Sequence, residues 1–347
     1  MTRARRRLLW LIFGTAVVLA GLWWFTSDDA DDGAGTDAGA PGGGQPTVLP
    51  LLGTDGDVPP RAALAVKIDT TDAGRPQAGL QQADVVVEEV VEGGLTRLLA
   101  VFQSQDPTTV GPVRSARSTD LAVLAELGRP LFAWSGANPT FQAAVEAADL
   151  VDVGAAAVPD AYRRDDARRA PYNLFAAPEQ LRDAADRADA AAARTPPEPL
   201  FDYRPDGAPL AGPGVRATGG FRSVMLATAV AWTWNAPDGR WERTQNGTPH
   251  VDADGARVTA ANVVVRLTPY VDSGVRDSRG AVVPEAEAVG EGDAWLLSDG
   301  QAQPGRWHKD AADAPTTYTD SDGNPLQLTP GTTWVELLPP GTAEILP

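Results

Sequence analysis

The sequence VVVEEVVEGGLTRLLAVFQ, residues 85–103, contains two apolar runs rich in β-branched residues on either side of a Gly-Gly pair. Runs of this length, with turn residues between them, are typical of two neighbouring β-strands. Because successive side chains of a strand point to opposite faces, Glu88 and Glu89 lie on opposite faces of the first run. Whichever face is buried, one carboxylate is buried with it and needs a polar partner.

The segments around these two strands predict an α/β domain over residues 63–194. ALAVKID, residues 63–69, is typical of a short buried strand, and LAVLAELG, residues 121–128, is typical of a helix that ends at a glycine. Two further helical segments follow at residues 141–149 and 178–194. Strands that alternate with helices in this way indicate an α/β arrangement.

A segment rich in Pro and Gly, residues 195–220, separates this domain from a second one. Such a composition is typical of an interdomain connection. Residues 221–340 contain short strand-like runs that alternate with Asn-Gly and Asp-Gly turns, which are strong hairpin signals. We therefore predict a mainly-β domain, either a barrel or a sandwich, and an α+β fold class for the chain.

The N-terminus predicts a membrane anchor, because four arginines precede an apolar run without any charged residue, residues 8–25. A helix of that length spans about 27 Å, close to the roughly 30 Å hydrocarbon core of a bilayer. Residues 1–26 are expected to form a cytosolic tip and one membrane helix, with the N-terminus inside and the folded domains extracytoplasmic. The alternative is a cleaved signal peptide. Residues 27–62 are expected to form a flexible tether.

Composition excludes several kinds of site. The chain has no cysteine, so it has no thiolate metal site, thiol nucleophile or lipidated cysteine. Its net charge of −17 argues against binding to nucleic acid. Two Asp-rich segments, 251–255 and 320–324, lack the glutamate of a calcium-binding EF-hand loop and are better interpreted as turns. With only two histidines present, we expect neither a metal nor a cofactor.

The strongest candidate for a ligand site is VGPVRSARSTD, residues 110–120, in the loop before the predicted helix. Two arginines three residues apart are unexpected in so acidic a chain. Arg114 and Arg117, joined by Arg97 from the preceding strand, are suited to bind a phosphate or a carboxylate. Backbone N–H groups at the start of the helix favour an anion at the same place.

The same segment is expected to supply the cap of the helix. Ser115, Ser118 or Asp120 could accept hydrogen bonds from the first backbone N–H groups, and we include Ser115 and Asp120 in the candidate site. The alternative is that the arginines pair with nearby carboxylates and only brace the fold. The carboxylates available for such pairing are Glu88, Glu89 and Asp69.

Several segments together resemble the YerB-like lipoprotein family. They are AVKID, RPQAGLQQADVVVEEVVEGGLTRLLAVFQSQ, VGPVRSAR, RRAPYNLF, QNGTPHVDADG and GTTWVELLP, between Ala65 and Pro339. The resemblance implies a two-part extracytoplasmic protein whose biochemical activity is not established. This chain departs from the family in two ways: it has an apolar run in place of a lipid-attachment cysteine, and it has Tyr172 where relatives often have histidine. The second departure argues against a histidine base at that position.

Two classes of function fit these observations. The first is a binding module of the cell envelope, whose partner is an anionic cell-wall precursor, a peptide or an envelope protein. The second is an envelope enzyme that acts on a phosphate-linked or glycan substrate, with the arginines holding the anion and Asp69 or Glu89 acting as acid or base. Nothing in the sequence requires catalysis, so we prefer the binding module.

Overall fold

The computed structural model describes residues 48–277 and 279–347, which belong to one compact unit, Gln45–Pro347. The predicted membrane helix, residues 8–25, lies outside the described residues. Within those ranges, no helix combines the length and the apolar character that a membrane span requires.

The described residues are mostly β, with 23 strands and three α-helices, and the α+β fold class is confirmed. The helices are α1 (Ser118–Leu124), α2 (Pro139–Ala147) and α3 (Pro178–Ala193), with 3-10 helices at Leu80–Gln82, Glu92–Gly94, Ala125–Leu127 and Pro159–Ala161. The first strands are β1 (Leu64–Asp69), β2 (Val85–Val90), β3 (Thr96–Phe102), β4 (Leu131–Ala133), β5 (Val151–Asp152), β6 (Tyr162–Arg164), β7 (Leu174–Ala176) and β8 (Asp202–Tyr203). The next are β9 (Arg216–Ala217), β10 (Gly220–Val224), β11 (Ala229–Asn235), β12 (Arg240–Gln245), β13 (Thr248–Pro249), β14 (Thr259–Ala260), β15 (Asn262–Leu267) and β16 (Tyr270–Arg276). The last are β17 (Val282–Ala286), β18 (Gly290–Ser298), β19 (Gln301–Lys309), β20 (Thr317–Thr319), β21 (Gln327–Leu328), β22 (Thr333–Leu338) and β23 (Ala343–Leu346).

One long mixed sheet organises the molecule. Its strand order is β20-β19-β18-β15-β22-β2-β3-β1-β4-β5, with β9 paired to β19. The two predicted folded regions meet in this sheet, because β2 pairs in parallel with β22 from the C-terminal region. The predicted domain boundary therefore separates stretches of sequence whose strands share one sheet.

Both faces of the long sheet are covered. On one face lie α3 and a separate six-stranded sheet, β13-β12-β11-β10-β23 with β14, which contribute Leu181, Trp232 and Trp241 to a common apolar core. On the other face lie α1 and α2, which contribute Leu124 and Val145. Two sheets thus stack across a core in the C-terminal region, which is the sandwich arrangement rather than the barrel.

Because both faces of the long sheet are covered, both glutamates of β2 are buried. Glu88 is fully buried and binds Arg243 of β12 at 2.6 Å through Oε2. Glu89, on the opposite face, binds Lys67 Nζ at 2.5 Å. The prediction that a carboxylate in this strand needs a partner is confirmed on both faces, since a central strand of a three-layer fold has no solvent side.

The helix predicted at residues 121–128 is present, and Gly128 ends it with a φ of 72°. Its expected cap is wrong, because the N-cap is Arg117 rather than Ser115, Ser118 or Asp120. Asp120 acts instead from the third helical position and accepts a hydrogen bond from the Arg117 backbone N–H at 2.7 Å. With only seven residues, α1 is too short for its dipole to explain anion binding. Any anion binding here must therefore come from the arginine side chains.

Candidate functional site

A cleft of about 790 Å³ opens at the end of β1 that carries Asp69. Its walls come from the β2–β3 turn, the loop before α1, residues 135–138, residues 171–172 and the β16–β17 hairpin. Arg97, Arg114 and Arg117 all line it. The structure therefore brings together the three arginines that the sequence pointed to, and it places them in a space large enough for a small ligand.

Arg97 is the deepest of these cations, with 8% of its surface exposed. Its Nη1 donates a hydrogen bond to the Ser115 carbonyl oxygen at 2.8 Å. In residues 48–277 and 279–347, no carboxylate oxygen lies within 4.0 Å of its guanidinium group. Burial, followed by the charges of Arg117 and Arg114, lowers the pKa of Arg97 to about 10, and the charges of Glu92 and Asp69 oppose that shift. Arg97 is still protonated at neutral pH, so it places a buried positive charge beside the cleft.

Arg114 has a carboxylate partner, because its Nη1 donates to Asp69 Oδ2. Asp69 is nearly fully buried, and its other oxygen accepts a hydrogen bond from the Thr71 backbone N–H at 2.7 Å. Gly74 makes room for this carboxylate, since a Cβ there would overlap Asp69 Oδ1. The Arg114 guanidinium carbon lies 5.2 Å from the centroid of the Tyr172 ring, within range of a cation–π contact.

Arg117 is paired as well. Its Nη2 donates to Glu92 Oε2 at 2.9 Å, and its Nη1 donates to the Ala116 carbonyl oxygen at 2.7 Å. The bracing interpretation therefore describes the contacts of Arg114 and Arg117, although Glu92 was not among the carboxylates considered from the sequence. Within the part of the chain that the structure describes, Arg97 has no such pairing, so the bracing interpretation does not describe its contacts.

Comparison with known proteins identifies the family of this chain. Residues 51–191 match the model "Protein of unknown function (DUF3048) N-terminal domain", and residues 222–335 match the corresponding C-terminal domain. The chain belongs to the DUF3048 family. It is 28% identical over 298 residues to "Putative lipoprotein YerB" of Bacillus subtilis (strain 168), which covers 84% of this chain and 86% of that protein. The resemblance to the YerB-like family is thereby confirmed.

The crystal structure of the YerB protein from Bacillus subtilis has the same fold. It superposes on this DUF3048 chain with a TM-score of 0.73 and 24% sequence identity. The match covers 86% of this chain and 99% of that one. The mixed sheet and its two covering layers are therefore supported by an experimental structure.

Two residues of the predicted site lie elsewhere in this DUF3048 chain. Glu89 and Asp120 both bind Lys67 Nζ, at 2.5 and 2.6 Å, and all three side chains are almost fully buried. Burial and the Asp120 charge raise the pKa of Glu89 to about 7, and Lys67 opposes that rise. Neither carboxylate belongs to the described lining of the cleft, whereas Ser115 does and supplies its carbonyl oxygen to Arg97.

The cleft also includes residues that the sequence reasoning missed. Arg276, Asp277 and Arg279 reach it from the β16–β17 hairpin. Backbone N–H groups of Ala281 and Arg279 lower the pKa of Asp277, and the Arg117 charge adds to the effect. The only signal in the sequence was a pair of arginines in a polar turn, and nothing local connected that turn with a loop some 160 residues earlier.

His250, one of the two histidines, is part of the core. It is fully buried and lies 2.7 Å from Arg243 Nη1 and 2.8 Å from Gln77 Oε1. Burial, followed by the charge of Arg243, lowers its pKa well below the usual value. Among the described residues, no cluster of three or more His, Asp or Glu side chains is arranged to hold a metal ion.

Proposed function

We propose that this DUF3048 protein binds an anionic ligand of the cell envelope in the cleft beside Arg97. The observation that carries the proposal is a buried guanidinium group that lines a cleft and has no carboxylate partner in the described residues. Burial of a charge without a partner is costly. A phosphate or carboxylate on a ligand would supply the missing charge and would accept bidentate hydrogen bonds.

The charge balance of the cleft supports an anion. Its lining includes five arginines but only three acidic residues, although the whole chain carries a net charge of −17. A cleft with low-dielectric walls focuses such a local excess and raises the concentration of counter-ions inside it. The cleft thus has a local excess of positive charge in a protein whose net charge is negative.

The carboxylates favour binding over catalysis. Asp69 lines the cleft, but one of its oxygens is engaged by Arg114 and the other by Thr71. Glu89, whose raised pKa would suit a general acid, is held by Lys67 in the core. A general acid or base must lie within hydrogen-bond reach of the substrate. Both Asp69 oxygens already have partners, and Glu89 does not belong to the described lining of the cleft.

We further propose that residues 8–25 anchor the protein and that the cleft lies outside the membrane. Its Bacillus subtilis relative is named as a lipoprotein, which is a membrane-attached class. In this chain, four arginines before an uncharged apolar run would provide the attachment instead. Protease added to intact spheroplasts should then degrade residues 48–347. Complete protection of that part, or a mature N-terminus beyond Phe25, would contradict the topology.

Titration of the full chain with inorganic pyrophosphate tests ligand binding. Replacement of Arg97 by Gln removes a charged donor, a loss of about 1.5–3 kcal/mol, and should weaken binding by about tenfold to a hundredfold. Arg222→Gln is the matched control, because Arg222 is exposed and pairs with Glu344 in the six-stranded sheet. Absence of pyrophosphate and phosphate binding by the parent protein, or equal losses in both variants, would refute the proposal.

A further inference from the structure

The cationic cleft has an apolar rim. Leu95 and Leu226 expose 37% and 90% of their surfaces. Large aliphatic side chains are seldom left this open together, whereas one alone needs no explanation. Their position relative to the cleft is therefore the informative feature.

Both residues lie at the edge of the cleft. Leu95 lines it directly, together with Gly93. Leu226 lies on the β10–β11 turn, whose Ala227 N–H donates to the Gly94 carbonyl oxygen at 3.3 Å.

The two loops are also in direct van der Waals contact. A Cβ added to Gly94 would lie only 2.6 Å from Leu226 Cβ, so this glycine allows the leucine turn to rest on the β2–β3 turn. The rim is thus built from the β2–β3 turn and the β10–β11 turn, which meet at one edge of the cleft.

We propose that the ligand of this cleft is a lipid-linked anion, a phosphate or diphosphate carried on an alkyl or prenyl chain. The inference rests on the proposed function and specifies its ligand class. The anionic group binds at Arg97 inside the cleft, and the first part of the hydrocarbon chain lies against Leu95 and Leu226. Cations inside and exposed leucines at the edge complement a molecule that is charged at one end and apolar at the other.

Calorimetric titration of the full chain in phosphatidylcholine nanodiscs tests this, with heats from empty nanodiscs subtracted. Inorganic phosphate and hexyl phosphate are compared, since they carry similar head groups and both are water-soluble. Burial of only two methylene groups gains about tenfold in affinity. We therefore expect hexyl phosphate to bind at least about tenfold more tightly than inorganic phosphate.

The variant Leu226→Ser separates the rim from the cationic cleft. It should remove most of the gain from the alkyl chain and leave the affinity for inorganic phosphate unchanged. Leu226 is 90% exposed, so its replacement should not disturb folding. Val289→Ser is the control, because Val289 is also exposed, at 47%, but does not belong to the lining of the cleft.

Three results would overturn the inference, and they differ in what else they affect. Equal affinities for the two phosphates would refute the lipid-linked ligand but leave the anion-binding proposal intact. A preference for hexyl phosphate that Leu226→Ser does not reduce would refute the role of Leu226 in binding the hydrocarbon chain. It would also leave the anion-binding proposal intact. Failure of both phosphates to bind would refute this inference together with the proposed function.

Discussion

Arg97 and Arg114 lie in one cleft, but their charges relate to the fold in opposite ways. Arg114 neutralises Asp69, a carboxylate with 2% of its side chain exposed, and so belongs to the folded structure itself. Arg97 is buried with no carboxylate oxygen of the described residues within 4.0 Å of its guanidinium group, and burial of its charge destabilises the folded state. Two arginines that look alike in the sequence are thus expected to differ in what their loss does to stability.

The substitution Arg114→Gln should lower the free energy of unfolding by about 1–3 kcal/mol, because it leaves the buried Asp69 without its charged partner. Arg97→Gln should change it by less than about 1 kcal/mol, since Gln can still donate to the Ser115 carbonyl oxygen. Urea unfolding of both variants measures the difference, with the exposed Arg222→Gln as control. Equal destabilisation by the two cleft substitutions would make Arg97 a structural residue.

A second pair of buried groups lies where β2 meets β22. Glu88 and Glu336 are opposite each other in the parallel register, and both are fully buried. Glu88 forms an ion pair with Arg243, while Glu336 accepts a hydrogen bond from Trp232 Nε1 at 2.7 Å. Burial, followed by the nearby charge of Glu88, raises the pKa of Glu336 well above its usual value. Glu336 is therefore protonated in the folded protein at pH values where an unfolded glutamate is ionised.

The raised pKa of Glu336 predicts a pH dependence. Above about pH 4.5 the unfolded state loses this proton and the folded state keeps it, so the contribution to stability falls by up to about 1.4 kcal/mol per pH unit until the folded pKa is reached. Glu336→Gln removes that contribution. The stability of the variant relative to the parent should therefore rise steadily between pH 5 and pH 7 in urea unfolding.

Glu344→Gln, at an exposed position, controls for this experiment. Its stability relative to the parent protein should be nearly constant over the same pH range. A constant difference for Glu336→Gln as well would show that Glu336 is ionised in the folded state.

At the level of elements, local patterns predicted structure well where one strand or helix sufficed. The strands β1, β2 and β3 and the end of the first helix follow from apolar runs and glycines. The helix cap could not be predicted from Ser and Asp residues, because Asp120 lies at the third helical position, where one oxygen accepts from the Arg117 N–H and the other binds Lys67. That contact depends on the sheet beneath α1, which the local sequence does not contain.

The Asp-rich segment at residues 251–255 shows a similar limit. It forms a turn, as predicted, in which the Gly255 N–H donates to the Asp252 carbonyl oxygen at 2.9 Å. The sequence did not indicate that the Asp252 side chain reaches across to the N-terminal half. Its Oδ2 accepts hydrogen bonds from the Gly79 and Leu80 N–H groups, at 3.1 and 3.0 Å, at the start of a 3-10 helix.

Asp252→Ala should therefore lower the free energy of unfolding by about 1–3 kcal/mol, because buried N–H groups lose their acceptor. Asp252→Asn keeps an acceptor oxygen and should cost less. Asp254→Ala is the control in the same turn, since Asp254 is exposed and bonds only with the nearby Ala256 N–H. If the Asp252→Ala and Asp254→Ala variants melt at the same temperature, the bridging contact does not contribute to stability.

At the scale of the whole molecule, some residues of the candidate site could be predicted from the sequence and others could not. Arg97, Arg114 and Arg117 lie within one short strand–loop–helix unit, so the chain itself brings them close together. Arg276 and Arg279 reach the same cleft only because β2 and β22 unite the two halves in one sheet. Sequence spacing carries no information about such a long-range pairing.

The shared sheet also predicts that the halves fold together. In residues 48–200 alone, β2 loses its partner β22 and becomes an edge strand with unpaired backbone groups. The six-stranded sheet that covers one face of β2 and supplies Arg243 to Glu88 is also absent, so the apolar side chains on that face, Val86 among them, lose much of their burial. We therefore expect this fragment to show no cooperative thermal transition.

Circular dichroism and proton–nitrogen correlation spectra of residues 48–200, of residues 201–347 and of their equimolar mixture test this expectation. Each fragment alone should give poorly dispersed amide signals, and the mixture should recover the dispersion of the intact chain, because β2–β22 pairing and the Glu88–Arg243 ion pair form again. A fragment 48–200 that melts cooperatively by itself would show that the N-terminal region forms its core without the C-terminal one. The cleft would then be assembled from two independently stable parts rather than by a single folding event.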